Sequence, residues 1–227
     1  MLSVSNLSSE SVGLLQVRGR TDQQIVDFAA LLEKAKSQLE QDVSAKDVLS
    51  GLTAEDLQMV QKSVGLVDSI NVDLLSNEAA INLLAQPDKT GMVDLNNDGI
   101  VEIGAAKMLT FPPVNAPVSV QRAWDEATEG MSEEDKMIMQ LHMHTMTYGI
   151  NIEGVPTKQT LSPEDQWSSQ GIEQLFENLR SALEFSVSLD GWDRFSLVKN
   201  DFFDKFEKAL EGGGGADQSL TENSMIT

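Results

Sequence analysis

Asp22-Gln-Gln-Ile-Val-Asp-Phe-Ala-Ala-Leu-Leu-Glu-Lys-Ala-Lys-Ser-Gln-Leu-Glu-Gln41 decides the fold class. Ile25, Phe28, Leu32, Ala35 and Leu39 recur every three or four positions, so on a helix they share one face. The other positions are mostly Gln, Glu, Lys and Asp, and neither glycine nor proline interrupts the run. The stretch predicts an amphipathic helix over 22–41 that buries one stripe and wets the rest.

The same grammar extends in both directions. An apolar residue, then Ser or Thr, then Glu two positions on, occurs at Leu7-Ser8-Ser9-Glu10, Leu52-Thr53-Ala54-Glu55, Leu75-Ser76-Asn77-Glu78, Met131-Ser132-Glu133-Glu134 and Leu161-Ser162-Pro163-Glu164. Each hydroxyl can cap free N–H groups of a first turn, and each acid favours the positive end of the helix dipole. Asp56, Asp135 and Asp165 stand where a capping box would place its acid, and Pro163 suits the first helical position. Helices are expected near 45–50, 54–68 and 77–85, briefly through Ala106 and Met108, then over 117–129 and 133–147. The longest should begin at Pro163 and carry Trp167, Ile172, Leu175, Leu179, Leu183 and Val187 inward until Asp190-Gly191 ends it. A final helix carries Phe195, Val198, Phe202, Phe206 and Leu210. Five of the eight phenylalanines lie between 185 and 206, which marks this pair as the tightest core of the C-terminal part. The expected fold is all-α, an irregular multi-helix bundle of about seven to nine helices. Four segments are expected: an N-terminal helical unit over 1–87, a central stretch over 88–154, a C-terminal helical pair over 155–211, and a mobile tail over 212–227. Ile150 and Ile152 alternate as in a short extended piece, Val155 to Leu161 reads as a linker, and Gly212 to Gly215 should break the last helix.

One stretch of the central segment follows a different rule. Val93-Asp-Leu-Asn-Asn-Asp-Gly-Ile-Val-Glu-Ile-Gly-Ala105 sets Asp94, Asn96 and Asp98 on alternate residues, with Gly99 next. Short oxygen-bearing side chains so spaced can curl round a hard cation, and glycine takes the positive φ of the sharp turn that follows. The stretch resembles the Asp-x-Asn-x-Asp-Gly calcium loops of EF-hand and dockerin proteins, over about a dozen residues. That resemblance implies Ca²⁺ rather than Mg²⁺, held by Asp94, Asn96 and Asp98, by the carbonyl of Ile100, and by Glu102 directly or through water. The acid that closes such loops is absent, since Ala105 stands at the twelfth position, so affinity is expected at about 10⁻⁴ to 10⁻³ M. The same residues also suit an Asp/Asn/Gly turn that needs no metal.

Composition limits the remaining functions. A net charge of −20 over 227 residues opposes nucleic acid and anionic membrane surfaces, and favours divalent cations and basic partners. Without cysteine there is no disulfide, thiolate nucleophile or cysteine zinc site. No apolar run is long enough to span a bilayer. The first residues lack the basic and apolar regions of a secretory signal, which points to a cytoplasmic protein or to export without a cleaved signal. His142 and His144, the only histidines, project to opposite sides of a helix and cannot share a metal. Met139, His142, Met143 and Met146 share one face, which suits core filling before a Cu(I) site. Glu126 with Glu129, and Glu133 with Glu134, read as solvated helix faces. Phosphate loops, nucleophile elbows and zinc-protease motifs are absent. The sequence thus points to a non-enzymatic acidic helical protein with a protein partner, stabilised by Ca²⁺ at the one loop. The alternative is a metal-independent interaction protein, secreted or appendage-associated, with a degenerate loop.

Overall fold

The computed structural model describes residues 7–149 and 161–217, with side chains up to Gly212. Among these residues the fold is predominantly α-helical, with one small two-stranded sheet. The helices are α1 (Ser9–Val17), α2 (Asp22–Leu39), α3 (Ala45–Ser50), α4 (Ala54–Val64), α5 (Asn77–Leu83), α6 (Val118–Ala127), α7 (Glu133–Tyr148), α8 (Pro163–Gln166), α9 (Ser169–Asp190) and α10 (Arg194–Asp217). Strands β1 (Ile100–Ile103) and β2 (Ala106–Leu109) form an isolated hairpin.

All five capping serines and threonines read from the sequence cap helices. Ser8, Thr53, Ser76, Ser132 and Ser162 each accept a hydrogen bond from the backbone N–H three residues on. Thr53 and Asp56 close a full capping box. At Ser132 and Ser162 the aspartate instead accepts the serine hydroxyl at 2.8 Å.

The chain divides into two compact units, Met1–Asn96 with Ile100–Met108, and Asn97–Gly99 with Leu109–Thr227. In the first, Leu15, Ile25, Phe28, Leu49, Val60, Ala80 and Leu83 from α1 to α5 share one core. In the second, Trp124, Met139, Met143, Trp167, Phe176, Leu179, Phe202, Phe203 and Phe206 form another. Its hub is Phe206, whose ring centroid lies 5.3 Å from Phe202, 5.9 Å from Phe176, 6.2 Å from Phe111 and 6.4 Å from Trp124. Such stacked, tilted and edge-on pairs add roughly 0.5–1.5 kcal/mol each beyond area burial.

Several expectations are corrected. The brief helix through Ala106 and Met108 is strand β2, because the β-branched Ile100, Val101 and Ile103 favour a pleated strand and Gly104-Ala105 returns it in a two-residue turn. The helix begun at Pro163 stops at Gln166, and Ser168 caps a new one by accepting from the Gly171 N–H. Helix α10 runs on through Gly212–Gly215 to Asp217. Propagation from a nucleated helix adds one hydrogen bond per residue, which offsets glycine's deficit of about 1 kcal/mol. The helices before and after 150–160 share a core, so the C-terminal core is not that of a helical pair. Phe185 lies outside it, 66% exposed. The extended piece expected at Ile150 and Ile152, most of the linker expected at Val155 to Leu161, and the tail from Gln218 lie outside the described residues.

Candidate functional site

The Asp-x-Asn-x-Asp-Gly stretch is held from α5. Asn82 is fully buried, and its amide nitrogen donates to the carbonyls of Val93 (2.8 Å) and Glu102 (2.9 Å), while its Oδ1 accepts the Val93 N–H at 2.8 Å. One turn earlier, the buried carboxylate of Glu78 accepts the N–H groups of Leu95 and Glu102, both at 2.8 Å. Positions i and i+4 lie on one helix face, so the two side chains form a clasp along α5. In the sequence neither residue signals this role, and Glu78 reads as a capping acid. The available signal was a pair of polar residues, one turn apart, on the same face of an apolar helix that contains Ala79, Ala80 and Leu83.

The expected ligands have other engagements. Glu102 makes a 2.7 Å ion pair with Lys107 across the hairpin, and its second oxygen accepts the Ser76 hydroxyl. Lys107 first, then Ser76, holds its carboxyl below the ordinary glutamate range. Asp94 is buried, Asn96 exposed, and Ile100 opens β1. These four belong to the first unit and Asp98 to the second. Among the described residues no three His, Asp or Glu side chains come together as a metal-binding group. Ala105 sits in the hairpin turn, and strand β2 follows it where an EF-hand has its exiting helix.

Within the second unit, Gly99 has φ +76° and is buried against α7. A Cβ there would lie 2.4 Å from the Tyr148 ring and 2.8 Å from the His144 imidazole, so both the backbone and the space exclude a side chain. The Thr110 N–H donates to the Gly99 carbonyl at 3.2 Å, and Asn97 donates to the Leu161 carbonyl at 2.9 Å. Burial lowers the pKa of His144, opposed by its hydrogen bond to the Thr110 backbone and by the charge of Asp98. His142 points elsewhere and stacks on Phe203 at 6.0 Å. Burial first, and Lys199 second, push its pKa down to about 4. Met139 and Met143 are fully buried in the second core and Met146 packs against it, so the methionine face is core filling.

Comparisons with protein-family models, curated proteins and solved structures find no match. Functional assignment therefore rests on this geometry. No helix among the described residues is long and apolar enough to cross a membrane.

Proposed function

We propose that the protein is a non-enzymatic, metal-independent interaction protein, and that the stretch from Val93 to Thr110 is a structural connection. The observation that carries this reading is the commitment of Glu102. The carboxylate that a calcium loop would turn toward its ion is held by Lys107 and Ser76 instead. Phe185, Leu189, Trp192 and Leu197, all within one helix end and the next helix start, are 57–67% exposed. Large apolar side chains left in water at such density support a surface that meets a partner.

The test is a melting curve of chelator-treated protein with and without millimolar Ca²⁺. The proposal expects coincident curves, and expects Asp98→Ala to respond to Ca²⁺ as the parent does. Occupancy at a hundredfold excess over Kd would add about 2.7 kcal/mol, a rise on the order of 5–10 °C for a chain this long. A rise of that size, abolished by Asp94→Ala or Asp98→Ala, would replace this reading with the calcium-stabilised one.

A further inference from the structure

We propose that the groove bordered by α6, α9 and α10 binds a basic amphipathic helix of a partner protein. This rests on the reading of the chain as an interaction protein and names the partner's chemistry. The groove is a cavity of about 690 Å³ within the second unit. Its floor is apolar, made by Val120, Trp167, Ile172, Phe176 and Leu210. Its volume falls within the usual range for ligand pockets, about 300–1,000 Å³.

The rim selects the occupant. Glu173 and Glu177 stand one turn apart on α9, and Glu207 and Glu211 stand one turn apart on α10. Among the described residues Arg180 is the one base at the rim, and it is bound to Glu207 and to Asp204. Four acids against one arginine leave the rim three charges negative. Acids repeated at about 6 Å along two helices make a linear track, which matches cations repeated at i and i+4 on a third helix better than a single point charge. Apolar anchors between those cations would enter the floor, as in other helix-in-groove recognition.

Charge also excludes the nearer candidates. Residues 1–6 and 218–227 contain no lysine or arginine, and the latter carry Glu222. A second copy of the chain brings 36 acids against 16 bases, so its field is repulsive at this rim.

The experiment uses the full chain and a synthetic amidated Leu/Lys peptide of about 18 residues, five helical turns, with leucines at i, i+3, i+4 and i+7. A matched peptide with Glu for Lys is the control. The indole N–H resonances of Trp124, Trp167 and Trp192 separate the floor of the groove (Trp167) from the core (Trp124) and from the exposed Trp192. The basic peptide should shift the Trp167 resonance saturably, and the acidic one should not. Glu173→Lys with Glu177→Lys should weaken binding about tenfold, since both are exposed and now repel the peptide. Glu33→Lys on α2 with Glu40→Lys just past its end, the same change in net charge at exposed positions, should weaken it less than about threefold. Equal losses in the two double variants would show attraction to the molecule's overall charge and overturn the proposal. A shift of Trp192 alone would overturn the groove while leaving the interaction reading intact, which the calcium melt decides separately. Binding seen only after removal of residues 218–227 would make the chain's own end the occupant and also overturn it.

Discussion

Asn82 makes three hydrogen bonds to the connection, against two for Glu78 beside it. Its amide pairs with three part-buried backbone groups: the N–H and C=O of Val93 and the C=O of Glu102. Asn82→Ala leaves all three without that partner, and unpaired buried groups cost about 1–3 kcal/mol apiece before relaxation and water entry. The expected loss is about 3 kcal/mol by urea titration. Asn82→Asp should cost at least as much, because it removes both donors and buries a charge. A loss below about 1 kcal/mol for both would mean that Glu78 alone carries the clasp. His142 supplies a second prediction. Its folded pKa of about 4 lies below the ordinary histidine value of 6.5, so between these pH values the unfolded chain binds a proton that the folded chain refuses. Stability contributed by neutral His142 is therefore present above pH 6.5, is lost as pH falls, and is gone below about 4. The buried His144, also shifted down, adds in the same direction. Because the ring is not fully buried, the effect is discounted to the order of 2 kcal/mol. The unfolding free energy of wild type relative to His142→Gln should fall by that amount on acidification across this window. A constant difference between the two proteins would contradict the shift.

Helices were legible because their signals are local. A hydroxyl three residues before a partner N–H, or a stripe at 3.6-residue spacing, needs no knowledge of distant chain. For the same reason Leu175, Leu179 and Leu183 could be placed in the core before any fold was known. The hairpin is less legible, because Asp-x-Asn-x-Asp-Gly carries the pattern of a metal loop while the β-branched Ile100, Val101 and Ile103 carry the stronger local signal. The clasp from Glu78 and Asn82 was hidden because it joins α5 to chain 11 to 24 residues away. Gly171 shows a similar limit. Read along the chain it weakens a helix, but in space a Cβ there would lie 2.2 Å from the Asp165 carbonyl and 2.5 Å from that of Gln166. The glycine lets α8 turn closely into α9. Gly171→Ala, which gains helix propensity in an open helix, is therefore expected to destabilise by on the order of 2 kcal/mol here, read as a lower melting temperature. A rise would show that the α8–α9 junction yields easily. At the hairpin, Ala105→Glu places an acid at an exposed turn. It should leave the melting curve unmoved by Ca²⁺, whereas a new Ca²⁺-dependent rise would restore the calcium-loop reading.

Over the whole molecule the tryptophans are unevenly placed, and that makes the two cores separately measurable. Trp124, Trp167 and Trp192 all belong to the second unit, and the first has none. Tryptophan fluorescence therefore follows the second core, while far-UV ellipticity sums helices of both. Phe206 is fully buried at the aromatic hub of the second core, and Phe28 is fully buried in the first. Truncating such a side chain costs about 3–5 kcal/mol through lost transfer energy and an unfilled cavity. The two sites lie in different clusters with no shared partner, which is the condition for additive effects. Phe206→Ala should bring the fluorescence transition to lower urea, and Phe28→Ala should leave it in place while an ellipticity component moves down. Were Phe28→Ala to shift the fluorescence midpoint as far as Phe206→Ala does, the units would unfold as one cooperative block, and the contact clusters would not correspond to separate folding units.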